Sequence, residues 1–129
     1  MVKEREPVVL LVEDQDTVRG LVRQVLTRAG YDVAEASDGR EGQRAFEACE
    51  RVDLIVTDVV MPHMSGPEFV AQIREHHPGV PVLFISGYAS DEVLPRLDGD
   101  PTTDFLAKPF SLEDLRARVT ALLGPESER

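Results

Sequence analysis

The sequence has few basic residues and almost no cysteine. Cys49 is the single cysteine among 129 residues, which excludes a disulfide bond within the chain and is typical of a reducing compartment. Lysine and arginine number 14 against 24 acidic residues, and the net charge of −10 argues against a surface that binds nucleic acid. The excess of acid favours a cation or a partner with a basic face, although solubility alone explains most of it.

Long apolar segments are also missing. No run approaches the roughly 20 residues that a membrane-spanning helix needs, and residues 1–7 are charged and lack the apolar segment of a signal peptide. We therefore expect a cytoplasmic protein that has no membrane segment. It should contain a flexible segment at 1–7, one folded domain at 8–123 and a polar tail at 124–129. A hydrophobic content of 42% gives a chain of this length enough apolar surface for a core.

The clearest strand signal lies in residues 53–62. The continuous apolar run 54–56 is typical of a strand buried on both faces of a parallel sheet, and Pro62 and Gly66 interrupt the chain soon after it. Asp58 should therefore lie at the carboxyl end of a central strand, where open α/β sheets bind their ligands. On this stretch alone, Asp58 is explained equally well as the cap of a turn or helix.

Strands and amphipathic helices are predicted to alternate along the whole chain. The other strands are expected at 8–12, 31–36, 80–85 and 104–107. The helices are expected from an Asp16 cap to Gly30, around 42–49, from Pro67 to about 75, weakly at 91–97, and at 112–123 after a Ser111 cap. Strict alternation indicates parallel strands with helices on both faces, so we predict a single, doubly wound α/β domain.

Polar residues follow four of the predicted strands. They are Glu13 and Asp14 after the first strand, Asp58 after the third, Ser86 after the fourth and Lys108 after the fifth. Because the carboxyl ends of parallel strands meet at one edge of the sheet, these side chains should converge. Carboxylates packed together repel one another, and a divalent cation with a preference for oxygen, Mg²⁺ or Mn²⁺, offsets that repulsion most directly.

A carboxylate beside a cation and Lys108 suits phosphoryl transfer, in which positioning and charge neutralisation do most of the work. Asp58 can itself be the nucleophile and become an acyl phosphate, with Ser86 and Lys108 binding the transferred group. Taken singly, Ser86 is explained as a turn hydroxyl and Lys108 as a solvated lysine. A zinc site is not predicted, because Cys49 is alone and the three histidines lack ligand spacing. Cys49 is expected to be a small core residue.

With these residues in place, the sequence resembles the receiver domain of bacterial two-component response regulators. The resemblance covers about residues 8–123 and implies a flavodoxin-like (βα)5 fold with strand order 2-1-3-4-5. It rests on the following matching features: the acidic pair Glu13-Asp14, Asp58 followed by Met61-Pro62 and Gly66, Ser86-Gly87, and Lys108-Pro109.

The resemblance also implies roles for individual residues. Asp58 would accept a phosphoryl group from a phosphohistidine on a sensor histidine kinase or phosphotransfer protein. Asp14 would bind Mg²⁺ directly and Glu13 directly or through water, and the backbone carbonyl of Val60 would be a further ligand. The peptide bond before Pro109 is expected to be cis. The pair is Glu-Asp here, whereas Asp-Asp is commoner in the family.

In this family a switch couples the hydroxyl residue, here Ser86, to the aromatic position matched by Phe105. Phe105 would turn inward on phosphorylation and alter the face made by the fourth helix, the fifth strand and the final helix, unless it is a static core residue. It lacks the hydroxyl that a tyrosine would bring. Val60 and Tyr88 match positions that tune the lifetime of the phosphoryl group. Val60 cannot orient a hydrolytic water and Tyr88 could screen the site, so slow self-dephosphorylation is expected.

Three rival interpretations remain open at this stage. A phosphatase of the haloacid dehalogenase type needs a second acid where Val60 stands, and a flavodoxin needs a phosphate loop where residues 13–16 carry acids. The third is a degenerate receiver that serves only as a scaffold. We expect a non-enzymatic signalling domain, monomeric or dimerising on phosphorylation, that is either a stand-alone regulator or part of a hybrid histidine kinase.

Overall fold

The computed structural model describes residues 6–87 and 100–124. Its strands are β1 (Val8–Val12), β2 (Asp32–Ala36), β3 (Leu54–Asp58), β4 (Val82–Ser86) and β5 (Thr103–Ala107). Its helices are α1 (Asp16–Arg28), α2 (Gly39–Ala48), α3 (Gly66–Arg74) and α4 (Leu112–Leu123). The strands form one parallel sheet in the order β2-β1-β3-β4-β5, which confirms the predicted architecture. The predicted helix at 91–97 lies outside the described residues, as do Tyr88, residues 1–5 and residues 125–129.

Two apolar clusters cover the two faces of the sheet. Alternate side chains of each strand point to opposite faces, so neighbouring residues such as Ile55 and Val56 enter different clusters. The cluster under α2 and α3 contains Leu10, Val12, Ile55, Phe69, Val70 and Phe84. The cluster under α1 and α4 contains Val9, Leu11, Val22, Leu26, Val56, Leu83, Leu115 and Val119. Every residue of β3 and β4 is buried, as the continuous apolar run of β3 predicts.

Side-chain caps start three of the four described helices. The side chains of Asp38, Ser65 and Ser111 accept hydrogen bonds from backbone N–H groups in the first turns of α2, α3 and α4. The cap predicted for α1 is wrong: Gln15 is the N-cap and forms no side-chain cap, and Asp16 is the first helical residue. The Asp16 carboxylate pairs with an arginine instead. None of the described helices is long and apolar enough to cross a membrane.

Arg74 joins the end of α3 to the segments that precede β4 and β5. Its guanidinium donates to the carbonyl oxygen of Val80 at 2.9 Å and to the hydroxyl of Thr102 at 3.2 Å, and lies 3.6 Å from the Asp100 carboxylate. Asp100 also accepts from the Thr102 and Thr103 hydroxyls, at 2.6 and 2.7 Å. These hydrogen bonds lower the pKa of Asp100 to about 2.

Asp100→Asn should therefore lower the stability of the domain in a pH-dependent way. A lowered folded-state pKa contributes stability that is fully present above the unfolded-state pKa of about 4 and is lost as the pH falls towards about 2. We expect the free energy of unfolding to drop by about 1 kcal/mol at pH 7, since the carboxylate is one-third exposed. Urea denaturation should show the difference shrinking below pH 4. The control Glu113→Gln changes an exposed acid, and a pH-independent difference for Asp100→Asn would contradict the linkage.

Candidate functional site

Five predicted site residues lie at the carboxyl edge of the sheet. Glu13 and Asp14 follow β1, Asp58 is the last residue of β3, Ser86 is the last residue of β4, and Lys108 follows β5. Carboxylate oxygens of Glu13, Asp14 and Asp58 lie within 4.8 Å of one another. Parallel strands thus bring three acids together from positions up to 45 residues apart in the chain.

Lys108 is the cation of this cluster. Its Nζ lies 3.1 Å from Oε1 of Glu13 and 3.2 Å from Oδ2 of Asp58, and its backbone N–H donates to the carbonyl oxygen of Ser86 at 2.7 Å. The bond from the backbone fixes the start of the side chain, and the two ion pairs fix its end. Lys108 therefore connects the ends of β1, β3, β4 and β5.

The charges of the cluster do not balance. Glu13 is completely buried, and burial followed by the negative charge of Asp58 raises its pKa to about 7. Burial lowers the pKa of Lys108, but its hydrogen bond to Glu13 and the charges of Asp58 and Glu13 outweigh this, so the net shift is upward. One ammonium group thus faces three carboxyl groups, and an oxygen-seeking divalent cation is the ligand that this donor set fits.

The two oxygens of Asp58 have different partners. Oδ1 accepts from the backbone N–H of Val59 at 2.7 Å, and Oδ2 accepts from Lys108. Asp58 does not cap α3, since Ser65 does. The explanation of Asp58 as a helix cap is therefore excluded, and its side chain is 10% exposed among charged neighbours.

The loop after β3 packs tightly against the backbone of Asp58. The Gly66 N–H donates to the carbonyl oxygen of Val59 at 2.8 Å, and a Cβ atom added at Gly66 would lie 2.1 Å from the carbonyl oxygen of Asp58. Within this loop His63 has a φ of 69°, an unusual value for a residue with a side chain, and the Val60 side chain is 55% exposed. No residue other than glycine fits at position 66.

Gly66→Ala should strain this loop. The added methyl group must displace backbone, and we expect the free energy of unfolding to fall by about 2 kcal/mol, the usual range for overpacking. Chemical denaturation measures the change. Gly20→Ala is the matched control, because nothing lies within 4 Å of its added Cβ in α1, so it should stabilise by roughly 0.5 kcal/mol. A Gly66→Ala protein as stable as the wild type would contradict the close approach.

The predicted switch residues lie on neighbouring strands. Ser86 is buried at the end of β4, and Phe105 in β5 is half-buried, in register with Phe84 and packed against the cluster under α2 and α3. The Phe105 carbonyl accepts from Arg118 of α4 at 2.9 Å. The peptide bond between Lys108 and Pro109 is cis, as the resemblance implies. Outside the site, Cys49 is half-buried and the histidines at 63, 76 and 77 are exposed.

One contact of the acidic loop was not predicted. Arg19 of α1 donates from Nη1 to the carbonyl oxygen of Glu13 at 2.8 Å. The contact carries little sequence signal, because a backbone carbonyl accepts regardless of residue type. Only the spacing of Asp16 and Arg19, three residues apart on a helix, could have indicated an ion pair there.

The family described as the response regulator receiver domain matches residues 9–120. This chain belongs to that family. Membership excludes the haloacid dehalogenase and flavodoxin alternatives, and the receiver domain is a signalling module rather than either of those classes.

Similar receiver domains occur in several kinds of protein. The chain is 45% identical over 117 residues to the sensor kinase CckA of Brucella abortus, covering 89% of this chain and 12% of the kinase. It is 38% identical over 117 residues to the transcriptional regulatory protein PhoP of Bacillus subtilis, covering 89% of this chain and 48% of that protein. The chain thus spans less than half the length of each of these relatives.

Solved structures agree with the fold. The chemotaxis protein CheY4 of Vibrio cholerae superposes with a TM-score of 0.84 at 34% identity, covering 92% of this chain and all of that one. The receiver domain of the hybrid histidine kinase CckA superposes with a TM-score of 0.75 at 36% identity, covering 91% of this chain and 99% of that one.

Proposed function

We propose that this receiver domain is a phospho-acceptor and that Asp58 is the residue that is modified. The observation that carries the proposal is the position of Lys108 Nζ between the Asp58 and Glu13 carboxylates. The phosphoryl donor is a phosphohistidine on a sensor histidine kinase or phosphotransfer protein. One oxygen of Asp58 bonds to phosphorus as the phosphorus–nitrogen bond breaks, and the imidazole leaves with the electron pair and takes up a proton.

The neighbouring side chains bind the group that is transferred. Lys108 can exchange its contact with Asp58 for one with a phosphoryl oxygen, because its flexible stem lets the ammonium move between nearby acceptors. The Ser86 hydroxyl, at the end of the adjacent strand, is proposed to donate to a second oxygen. Both contacts favour the transition state, in which charge spreads over the phosphoryl oxygens.

The carboxylates fit a Mg²⁺ ion, with Mn²⁺ as an alternative. Glu13, Asp14 and Asp58 are the proposed side-chain ligands, and the Val60 carbonyl is the proposed backbone ligand; the close spacing of the three acids supports this set. Held by these residues, a divalent ion would supply positive charge that offsets the charge of the transferred group. Glu13 is already held by Lys108, which favours a ligand role through water.

Phosphorylation can be read directly from the intact mass. After incubation with a small-molecule phosphoryl donor and Mg²⁺, the wild type should gain one phosphoryl group, and both Asp58→Asn and a wild-type sample with chelator should gain none. Asp53→Asn is the control, because it removes a carboxylate at the opposite end of the same strand, directly before β3. This variant should still gain one phosphoryl group. A wild type that stays unmodified, with this donor and with phosphohistidine proteins, would favour the scaffold interpretation.

The lifetime of the modification follows from the same samples. The Val60 side chain is exposed and apolar, so it offers no polar group that could orient a water molecule for hydrolysis. Tyr88, which is outside the described residues, is proposed to screen the site. We therefore propose slow self-dephosphorylation. A phosphorylated half-life of seconds after donor removal would be inconsistent with it.

The output of the domain is proposed to be a changed face around β5 and α4, together with the predicted helix at 91–97. Ser86 moves towards the phosphoryl group and Phe105 turns into the space that it leaves. The half-buried position of Phe105 and the bond from Arg118 of α4 to its carbonyl support this route, since movement of β5 would reach α4 directly. The altered face binds the downstream partner or a second copy of the domain.

Phe105→Ala tests this route. The variant should still gain one phosphoryl group, because Phe105 lies on β5 and β4 separates it from Asp58 on β3, but the response of β5 and α4 to a phosphoryl mimic should weaken. Amide chemical shifts with and without the mimic give the measurement. Phe46→Ala, a half-buried aromatic on α2, is the matched control and should keep the full response. Shift changes in Phe105→Ala equal to those of the wild type would rule out the switch.

We also propose the context in which the domain works. It comprises residues 8–123, between an N-terminal segment at 1–7 and a C-terminal tail at 124–129, and acts in the cytoplasm. The similarity to the receiver of the hybrid histidine kinase CckA supports an origin in a hybrid kinase over a stand-alone regulator. The acidic composition supports the expectation that it does not bind nucleic acid directly.

A further inference from the structure

Asp14 differs from the other two acids of the cluster in how it is held. Both side-chain oxygens of Glu13 are engaged, Oε1 by Lys108 and Oε2 by the backbone N–H of Gln15 at 3.2 Å. Both oxygens of Asp58 are engaged as well. Across residues 6–87 and 100–124, by contrast, no hydrogen bond or ion pair holds the Asp14 carboxylate. Its position therefore depends on the backbone of the loop.

Arg19 bonds to the residues on both sides of Asp14. Its guanidinium Nη1 donates to the carbonyl oxygen of Glu13 at 2.8 Å, and its backbone N–H donates to the carbonyl oxygen of Gln15 at 2.9 Å. The Glu13 N–H also donates to the carbonyl oxygen of Ala36 at the end of β2, at 3.0 Å. The Glu13 carbonyl belongs to the peptide unit directly before Asp14, and the other two bonds hold the peptide units one step further away on each side.

The guanidinium is itself held by two carboxylates. Nη2 donates to Oδ1 of Asp16 at 2.5 Å, and Nε lies 3.7 Å from Oε1 of Glu35 on β2. The Arg19 side chain is 19% exposed, so these contacts are partly shielded from water. The planar guanidinium group has several N–H donors in fixed directions, so it can donate to Glu13 and Asp16 at the same time. The single ammonium group of a lysine cannot reproduce this geometry.

Arg23 provides a comparison on the same helix. Its Nε lies 3.6 Å from Oε2 of Glu35, and in the part of the chain that the structure describes its guanidinium makes no contact with the acidic loop. Its side chain is 48% exposed. Arg19 and Arg23 thus share a partner on β2, and Arg19 differs from Arg23 in also reaching the loop.

The geometry points to Arg19 as a positioning residue that holds Asp14 in place for the cation. Its side chain acts through the hydrogen bond from the guanidinium to the Glu13 carbonyl oxygen, because the bond to Gln15 comes from the main chain and survives a substitution at position 19. The inference rests on the proposed phospho-acceptor function. Without Arg19 the three neighbouring acids 13, 14 and 16 repel one another, and the loop is free to move Asp14 away from Asp58.

Direct binding of Mn²⁺, followed by its effect on water proton relaxation and without any phosphoryl donor, tests the inference. Arg19→Met should weaken Mn²⁺ binding by about 10-fold, the lower end of the range for residues that orient metal ligands. Arg19→Lys should bind Mn²⁺ with intermediate affinity, because it keeps the positive charge and loses the planar guanidinium group. Arg23→Met, the same change on the same helix, should stay within about twofold of the wild type, as surface substitutions do.

Two further measurements separate positioning from general loss of structure. Urea denaturation gives the stability of each variant, and a purely structural role predicts that Mn²⁺ affinity falls only as stability falls. Phosphorylation of Arg19→Met by the small-molecule donor should be slow at low Mg²⁺ and approach the wild-type rate at saturating Mg²⁺. A small-molecule donor also removes any effect of α1 on docking of a kinase.

The outcomes are distinct. If the wild type binds Mn²⁺ and is phosphorylated, but Arg19→Met binds within about twofold of it, the inference is overturned and the proposed function stands. If the wild type neither binds Mn²⁺ nor is modified, the proposed function fails and the inference fails with it. If Arg19→Met does not fold, the Mn²⁺ affinity of Arg19→Lys is compared with that of the wild type instead, and an affinity within about twofold overturns the inference.

Discussion

The carboxyl edge of this domain depends on one ammonium group between two carboxylates. Lys108 is 95 residues from Glu13 and 50 residues from Asp58 along the chain, so only the completed sheet brings the three together. Removing the ammonium would leave two partly desolvated acids facing each other without compensation. The same arrangement leaves the cluster short of positive charge, and this shortage is what makes the edge suited to a divalent cation.

The parallel sheet could be predicted from its apolar runs and their alternation with amphipathic helices, whereas the strand order followed only from the resemblance to the receiver family. β3 is buried on both faces and reads as an uninterrupted apolar run, and the residues at the strand ends are polar because they meet at one edge. The capping serine at 111 was likewise visible, since its side chain bonds to an N–H only three residues away. Predictions of this kind need only neighbouring residues.

Other contacts could not be predicted from the sequence. In these contacts a side chain has several possible partners, and the partner that it binds is either far away in the chain or a backbone group that any residue type carries. Asp16 has the chemistry of a helix cap, but Arg19 takes its carboxylate. Asp38 and Gly39 have the composition of a turn, and the same aspartate caps α2, so the helix begins earlier than its apolar pattern indicates. The bond from Arg19 to the Glu13 carbonyl and the cluster of Arg74 with Asp100 involve backbone acceptors or long separations, which leave no pattern in the sequence.

The strand order has a consequence for access to Asp58. The order β2-β1-β3 means that the chain leaves β1 and β3 in opposite directions, towards α1 on one face and α3 on the other. The loops after these strands separate, and a crevice opens between them at the point where the winding of the sheet reverses. The three acids lie at this point of reversal. The place where they come together is therefore a property of the topology, set by the order of the strands rather than by any one loop.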